Sequence, residues 1–171
     1  MNPLILIVVI IGTMVNVFIV WKLYSSQQWK YVKLYRFFSL EAILLLCVFN
    51  FPVIFSARNF SIVLPACLIL VISLFFLLSA IISSRLLTSD VQFPTKGIYA
   101  HIRYPIEAGM FWLSVGLFLL QIDGTSLILV VLSCYALYEI IKQKEEIMLK
   151  NFGGDFAVYA KKTKRIIPFL Y

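Results

Sequence analysis

The sequence predicts an all-α, multi-span integral membrane protein of about five transmembrane helices, with a C-terminal helical hairpin and an amphipathic cytoplasmic tail. Three observations carry this expectation. Of the 171 residues, 62% are hydrophobic and 13% are charged, against about 25% charged in ordinary soluble domains. The apolar residues gather in runs long enough to cross a bilayer. The charged residues gather between those runs. The length suits one domain, 1–171, with three spans in 1–83 and a polar loop, a hairpin and a tail in 84–171. It leaves no room for a separate soluble catalytic domain, so any chemistry falls to loops and helix ends.

Residues 3–21, PLILIVVIIGTMVNVFIVW, carry no charge and at about 1.5 Å per residue cover the roughly 30 Å hydrocarbon layer. They follow Met1 without a basic region or a small-residue cleavage site, which predicts a retained helix and not a cleaved signal peptide. The second run, about 37–55, holds Glu41 near its start, and the third, about 62–83, is uncharged. Two more, about 107–121 and 125–141, are separated only by QIDGT and so predict a tight hairpin. The tail that follows repeats Ile147, Met148, Phe152, Phe156 and Tyr159 at helical spacing, with a break at Gly153-Gly154. That pattern predicts short amphipathic helices lying on the membrane or capping the loops.

Lysine and arginine are retained on the cytoplasmic side of a membrane. Segment 22–36 carries Lys22, Lys30, Lys33 and Arg36, segment 84–106 carries Arg85, Lys96 and Arg103, and the tail is the most basic of all, whereas the alternate loops hold only Arg58 and Asp123. The N-terminus is therefore expected outside and the tail inside, which in a prokaryote means the inner membrane. The formal net charge of +7 then reports topology and contact with anionic lipid, and nucleic acid is not an expected partner. Cys47, Cys67 and Cys134 lie inside apolar runs without metal-ligand spacing, so neither a metal nor a disulfide is expected. Asn59-Phe60-Ser61 has the form of a glycosylation sequon but lies too near a span, and is read as chance.

The polar residues concentrate in TKGIYAHIRYPIEAG, residues 95–109. Gly97 and Tyr99, then Arg103-Tyr104-Pro105 and Gly109, a hairpin, the Lys144-Glu145-Glu146 stretch, then Phe152-Gly153, Phe156, Tyr159, Arg165 and Pro168 follow in order. This ordered set resembles the isoprenylcysteine carboxyl methyltransferases and the related phospholipid methyltransferases, over about 93–171. Their pattern is Gly-Pro-Tyr, Arg-His-Pro, a hairpin, a Glu-Glu pair, and F-G-x-x-Y-x-x-Y followed by V-P-R-x-x-P. The departures are specific. Ile98 replaces the first proline, Tyr104 the histidine, Glu107 an aromatic and Lys144 the first glutamate, with Glu146 able to serve in its place after a register shift.

The resemblance implies S-adenosylmethionine (SAM) as cofactor, bound by Gly97, Tyr99, Arg103, Tyr104, Pro105, Glu145 and Glu146. The chemistry of those side chains suits that ligand. Arg103 can fork onto the α-carboxylate, Glu145 or Glu146 can meet the ammonium or ribose, and the rings of Tyr99 and Tyr104 can pack adenine or sulfonium. Gly97 lets backbone approach closely. The bland alternatives are a headgroup-bound Arg103, a solvated helix face at Glu145-Glu146 beside Lys142 and Lys150, and an interfacial His101. Glu107 and Glu139 bracket the hairpin and are expected near the site, since an ionisable group in or beside a span carries a cost.

Methyl transfer to a carboxylate needs alignment more than a base. An amine or phenol acceptor needs one, and Glu107, Glu145 and Tyr104 are the candidates. Arg165 or Lys164 is expected to hold an acidic acceptor group. The expected function is SAM-dependent methylation of a lipophilic or prenylated acceptor drawn from the membrane, with Arg165 and Glu107 as catalytic residues. An NADPH-dependent reductase of the sterol-reductase type, and a degenerate lipid-binding protein, are the alternatives.

Overall fold

The structure is a computed structural model, and it describes residues 10–16, 18, 30–54, 60–85 and 95–166. The ends of the first expected span, Lys22, Arg58, Asn59 and Pro168 lie outside the described residues. The described residues are all-helical, with no strand among them: α1 (10–16 and 18), α2 (Lys30–Ile54), α3 (Phe60–Arg85), α4 (Pro105–Leu120) and α5 (Gly124–Lys162), with a 3-10 turn at Gly97–Ala100 before α4.

Among the described residues, two segments are long and apolar enough to cross a membrane, 63–83 within α3, and α5. α4 is a shorter apolar helix of 16 residues. The outer face of α3 exposes Val71 at 64% and Phe75 at 62%. Water would not stabilise so apolar a face, whereas lipid does.

Packing is mainly α3 on α4 and α2 on α5, with α4 joining the two pairs. Ala42, Ile43 and Leu46 of α2 meet Met110 and Leu117 of α4 and Leu137 and Ile140 of α5 in one apolar core. Small residues let the helices approach. Ser73 Oγ donates to the Gly109 carbonyl at 2.9 Å, and a Cβ on Gly109 would stand 2.7 Å from Leu77. Ser114 and Ser133 share a 3.0 Å hydrogen bond between α4 and α5. Small side chains and interhelical hydroxyl bonds are what apolar surroundings favour at helix contacts. On α1, Thr13 and Asn16 donate one bond each to the two oxygens of Glu41, which gives that carboxylate a structural use.

One expected boundary is corrected. Segment 22–36 is not all connection, because α2 already begins at Lys30. Lysine and arginine are good helix formers, and Arg36 finds a buried partner inside the bundle. The tail keeps the expected break: helical geometry is lost at Gly153, with φ 48° and ψ −118°, and a separate short helix over 154–162 follows it, while the stretch before the break continues the last span. The hairpin turn is as expected, with the Asp123 carboxylate capping α5 through the Ser126 amide at 2.7 Å.

Candidate functional site

The loop before α4 is shaped by its first glycine. Gly97 has φ +64°, a left-handed conformation that costs other residues about 1–2 kcal/mol. A Cβ there would stand 2.5 Å from Ser83 Oγ, so the turn is pressed against the end of α3. Gly97 therefore lets the loop lie close against Ser83. Tyr99 is buried at the turn, and the chain then extends to Tyr104. Pro105, which has no N–H to leave unpaired, opens α4.

A strap from the tail lies along this loop. Past the bend at Gly153, Phe156 is buried, and Tyr159 Oη donates to the Tyr99 carbonyl at 2.7 Å. Beyond α5 the backbone is extended and runs parallel to the loop. Lys164 N–H donates to the His101 carbonyl at 2.9 Å, Arg103 N–H to the Lys164 carbonyl at 2.8 Å, and Tyr104 N–H to the Arg165 carbonyl at 3.2 Å. Side chains of an extended segment alternate in direction. Thr163 is accordingly buried and Arg165 half-buried, while Lys162 and Lys164 are exposed.

Two carboxylates gather four cations. Glu145 accepts from Arg103 Nη1 at 2.8 Å and from Arg165 through a fork, Nε at 3.0 Å and Nη2 at 2.6 Å. Glu107, whose side chain is 2% exposed, accepts at one oxygen from both Arg36 and Lys144, the latter at 2.6 Å. Arg36 also directs Nη1 toward Met110 Sδ at 2.8 Å. Lys144 Nζ stands 5.9 Å from the centre of the Tyr104 ring, within cation–π range.

Burial pushes the Tyr99 phenol up to about 12, aided by the charge of Glu107. It raises Tyr159 to about 12 as well, against the opposing pull of Arg103. Tyr104 moves upward too, from burial first and then from Glu145. All three phenols stay protonated near neutral pH. Near neutral pH Tyr104 thus offers a hydrogen-bond donor. Its Oη and Arg103 Nε are buried atoms without a hydrogen-bond partner among the described residues. An unpaired buried donor costs about 1–3 kcal/mol, and two on adjacent residues make a spot suited to a polar ligand.

Of the expected site residues, Tyr99, Arg103, Tyr104, Pro105, Glu145 and Arg165 come together. Glu107 reaches the cluster, but with its oxygen engaged by two cations it acts as a buried counter-charge and not as an open base. Glu146 is exposed and joins none of these contacts. Successive helix positions differ by about 100°, so when Glu145 points at Arg103 its neighbour cannot. His101 is exposed and contributes its carbonyl, while Glu139 is half-buried near Tyr35, away from the cluster. Sequence reasoning missed Arg36 and the pairing of Glu107 with Lys144. The signal for the pairing was present, since both positions depart from the resembled pattern and carry opposite charges.

Comparison of the chain with protein-family models, curated proteins and solved structures finds no match in any of the three.

Proposed function

We propose that the chain is a SAM-dependent membrane methyltransferase acting on a lipophilic acceptor. The observation that carries the reading is the juxtaposition of Arg103 and Glu145 at 2.8 Å, flanked by the unpaired Arg103 Nε and Tyr104 Oη. A zwitterionic amino-acid moiety needs a cation and an anion side by side, and donors with spare capacity next to them. Arg103 would hold its carboxylate, Glu145 its ammonium, and Tyr99 and Tyr104 would face the aromatic and sulfonium parts. SAM supplies an activated methyl group when bound. The chain's own contribution is to fix the acceptor in line and to exclude water, which the strap over the loop favours.

In this reading the chain is multi-pass, with about five spans, the N-terminus outside and the tail cytoplasmic. The acceptor, a prenylcysteine-like or other lipidic carboxylate, enters between helices from the bilayer. Arg36, Arg103, Lys144 and Arg165 outnumber Glu107 and Glu145, and that surplus of positive charge suits an anionic acceptor. With three phenols kept protonated and Glu107 engaged, the site offers no strong base, and an already ionised acceptor needs none.

The same charge surplus favours a second reading, an NADPH-dependent reductase, whose cofactor brings phosphates to the cations. Binding separates the two. Detergent-purified protein should bind SAM saturably, with Arg103→Ala and Glu145→Ala each abolishing binding while the protein stays folded. Binding of NADPH alone moves the chain to the second reading, and unchanged SAM affinity in both variants removes the proposed pocket.

A further inference from the structure

We propose that the outward face of the strap is a docking surface for anionic lipid headgroups, and that the bilayer surface thereby helps to hold the site closed. The proposal rests on the membrane reading above, and not on which cofactor the site takes. Lys161, Lys162 and Lys164 are exposed, as is Lys96 on the loop the strap pairs with. Neither 95–104 nor 157–166 contains an acidic residue, and Asp155 is the one acid between Gly153 and Ile166, so basic residues outnumber acidic ones on this face.

Position fits the partner. Ile166, at the end of the strap, packs against Phe76 of α3 and Ala108 of α4, beside Ile98 and Ile102. The loop with which the strap pairs meets α3 at Ser83, near its end, where the exposed Ile81 and Ile82 bring its apolar outer face to a close. A basic surface at the rim of an apolar one lies at the depth of lipid phosphates.

Alternation along the extended segment links this surface to the site. Lys162 and Lys164 face out while Thr163 and Arg165 face in, and Arg165 forks onto Glu145. Tyr159, one turn earlier, fastens the strap to Tyr99. Whatever holds the lysines to a headgroup layer also holds Arg165 and Tyr159 in place. Loss of the outer contact loosens the inner ones by linkage.

The test uses the full chain in nanodiscs of phosphatidylcholine alone or with one third phosphatidylglycerol, reading backbone hydrogen exchange over 154–166. Each lysine near an anionic surface is worth about fivefold in occupancy. Phosphatidylglycerol should therefore slow strap exchange by on the order of 100-fold at low salt, and 0.5 M salt should reverse much of this. The variant K161Q/K162Q/K164Q should lose the lipid effect, and K161R/K162R/K164R should keep it. Inorganic phosphate added to phosphatidylcholine discs should not substitute for the lipid. Strap exchange that ignores lipid charge in a chain resisting alkaline carbonate extraction overturns the docking surface. Extraction by carbonate overturns the membrane reading beneath it.

Discussion

The Lys144 ammonium and the Glu107 carboxylate, 37 residues apart in sequence, meet at 2.6 Å and share their oxygen with Arg36. Glu107 stands where the resembled family has an aromatic residue, and Lys144 where it has a glutamate. Without Glu107 both cations would lose their common partner, whereas without Lys144 the carboxylate would keep Arg36 alone. Together Glu107 and Lys144 make an ion pair that ties the start of α4 to the middle of α5.

That pairing predicts an asymmetry. Glu107→Gln leaves two cations facing a neutral group and should cost about 3–5 kcal/mol of stability. Lys144→Met should cost less, because Glu107 keeps Arg36. Thermal unfolding in detergent, followed by tryptophan fluorescence, measures both. Equal losses would mean that the two cations are not interchangeable supports of one carboxylate.

The adjacent glycines of α5 should respond in opposite directions. Gly153 has φ +48°, so alanine there should destabilise the bent segment by about 1 kcal/mol through backbone strain alone, since nothing lies within 4 Å of an added Cβ. At Gly154, equally open but without a positive φ, alanine should stabilise by about 0.5–1 kcal/mol. Hydrogen exchange over 154–162 reads the effect where it should fall.

Gly97→Ala combines left-handed strain with a clash against Ser83 Oγ, and should cost about 1–3 kcal/mol. Adding Ser83→Gly relieves the clash but not the strain. The double variant should therefore recover part of the loss, and full recovery would show that backbone conformation contributes nothing.

Alkaline pH should release the strap. Tyr99 and Tyr159 titrate near 12 in the folded protein and near 10 when unfolded, so the folded form binds the proton more tightly. The stability this contributes is complete below about pH 10 and is lost as pH rises through 12. Tyr159→Phe, which removes one phenol and its bond to Tyr99, should diminish the alkaline step in strap protection. An unchanged step in that variant would assign it to other groups.

The parts of the fold legible in the sequence are those encoded by local pattern. The uncharged stretch 62–83 announces α3, and QIDGT announces the turn with its Asp123 cap. The start of α2 was not legible, because Lys30, Lys33 and Arg36 look like a connection until Glu107, 71 residues from Arg36, is known to receive the guanidinium. The strap is hidden for the same reason. Its backbone bonds to the loop depend on the path the chain takes after the break at Gly153, and local pattern shows the break without that path. In the site, Arg103 and Glu145 stood out as opposite charges in the right order. Which of Glu145 and Glu146 faces Arg103 depends on helix phase, and that phase is fixed by packing along the whole of α5.

The parallel contact between Ile102 and Lys164 also bears on the order in which the molecule assembles. Tyr99 and Tyr159 are 60 residues apart, and closing so long a flexible loop is entropically costly and slow. The α4–α5 hairpin removes most of that cost by folding the intervening chain back on itself before the two ends meet. Pairing of strap with loop is thus a late event that depends on a correctly seated hairpin, and the cluster around Glu145 is complete only in molecules that have already passed that step.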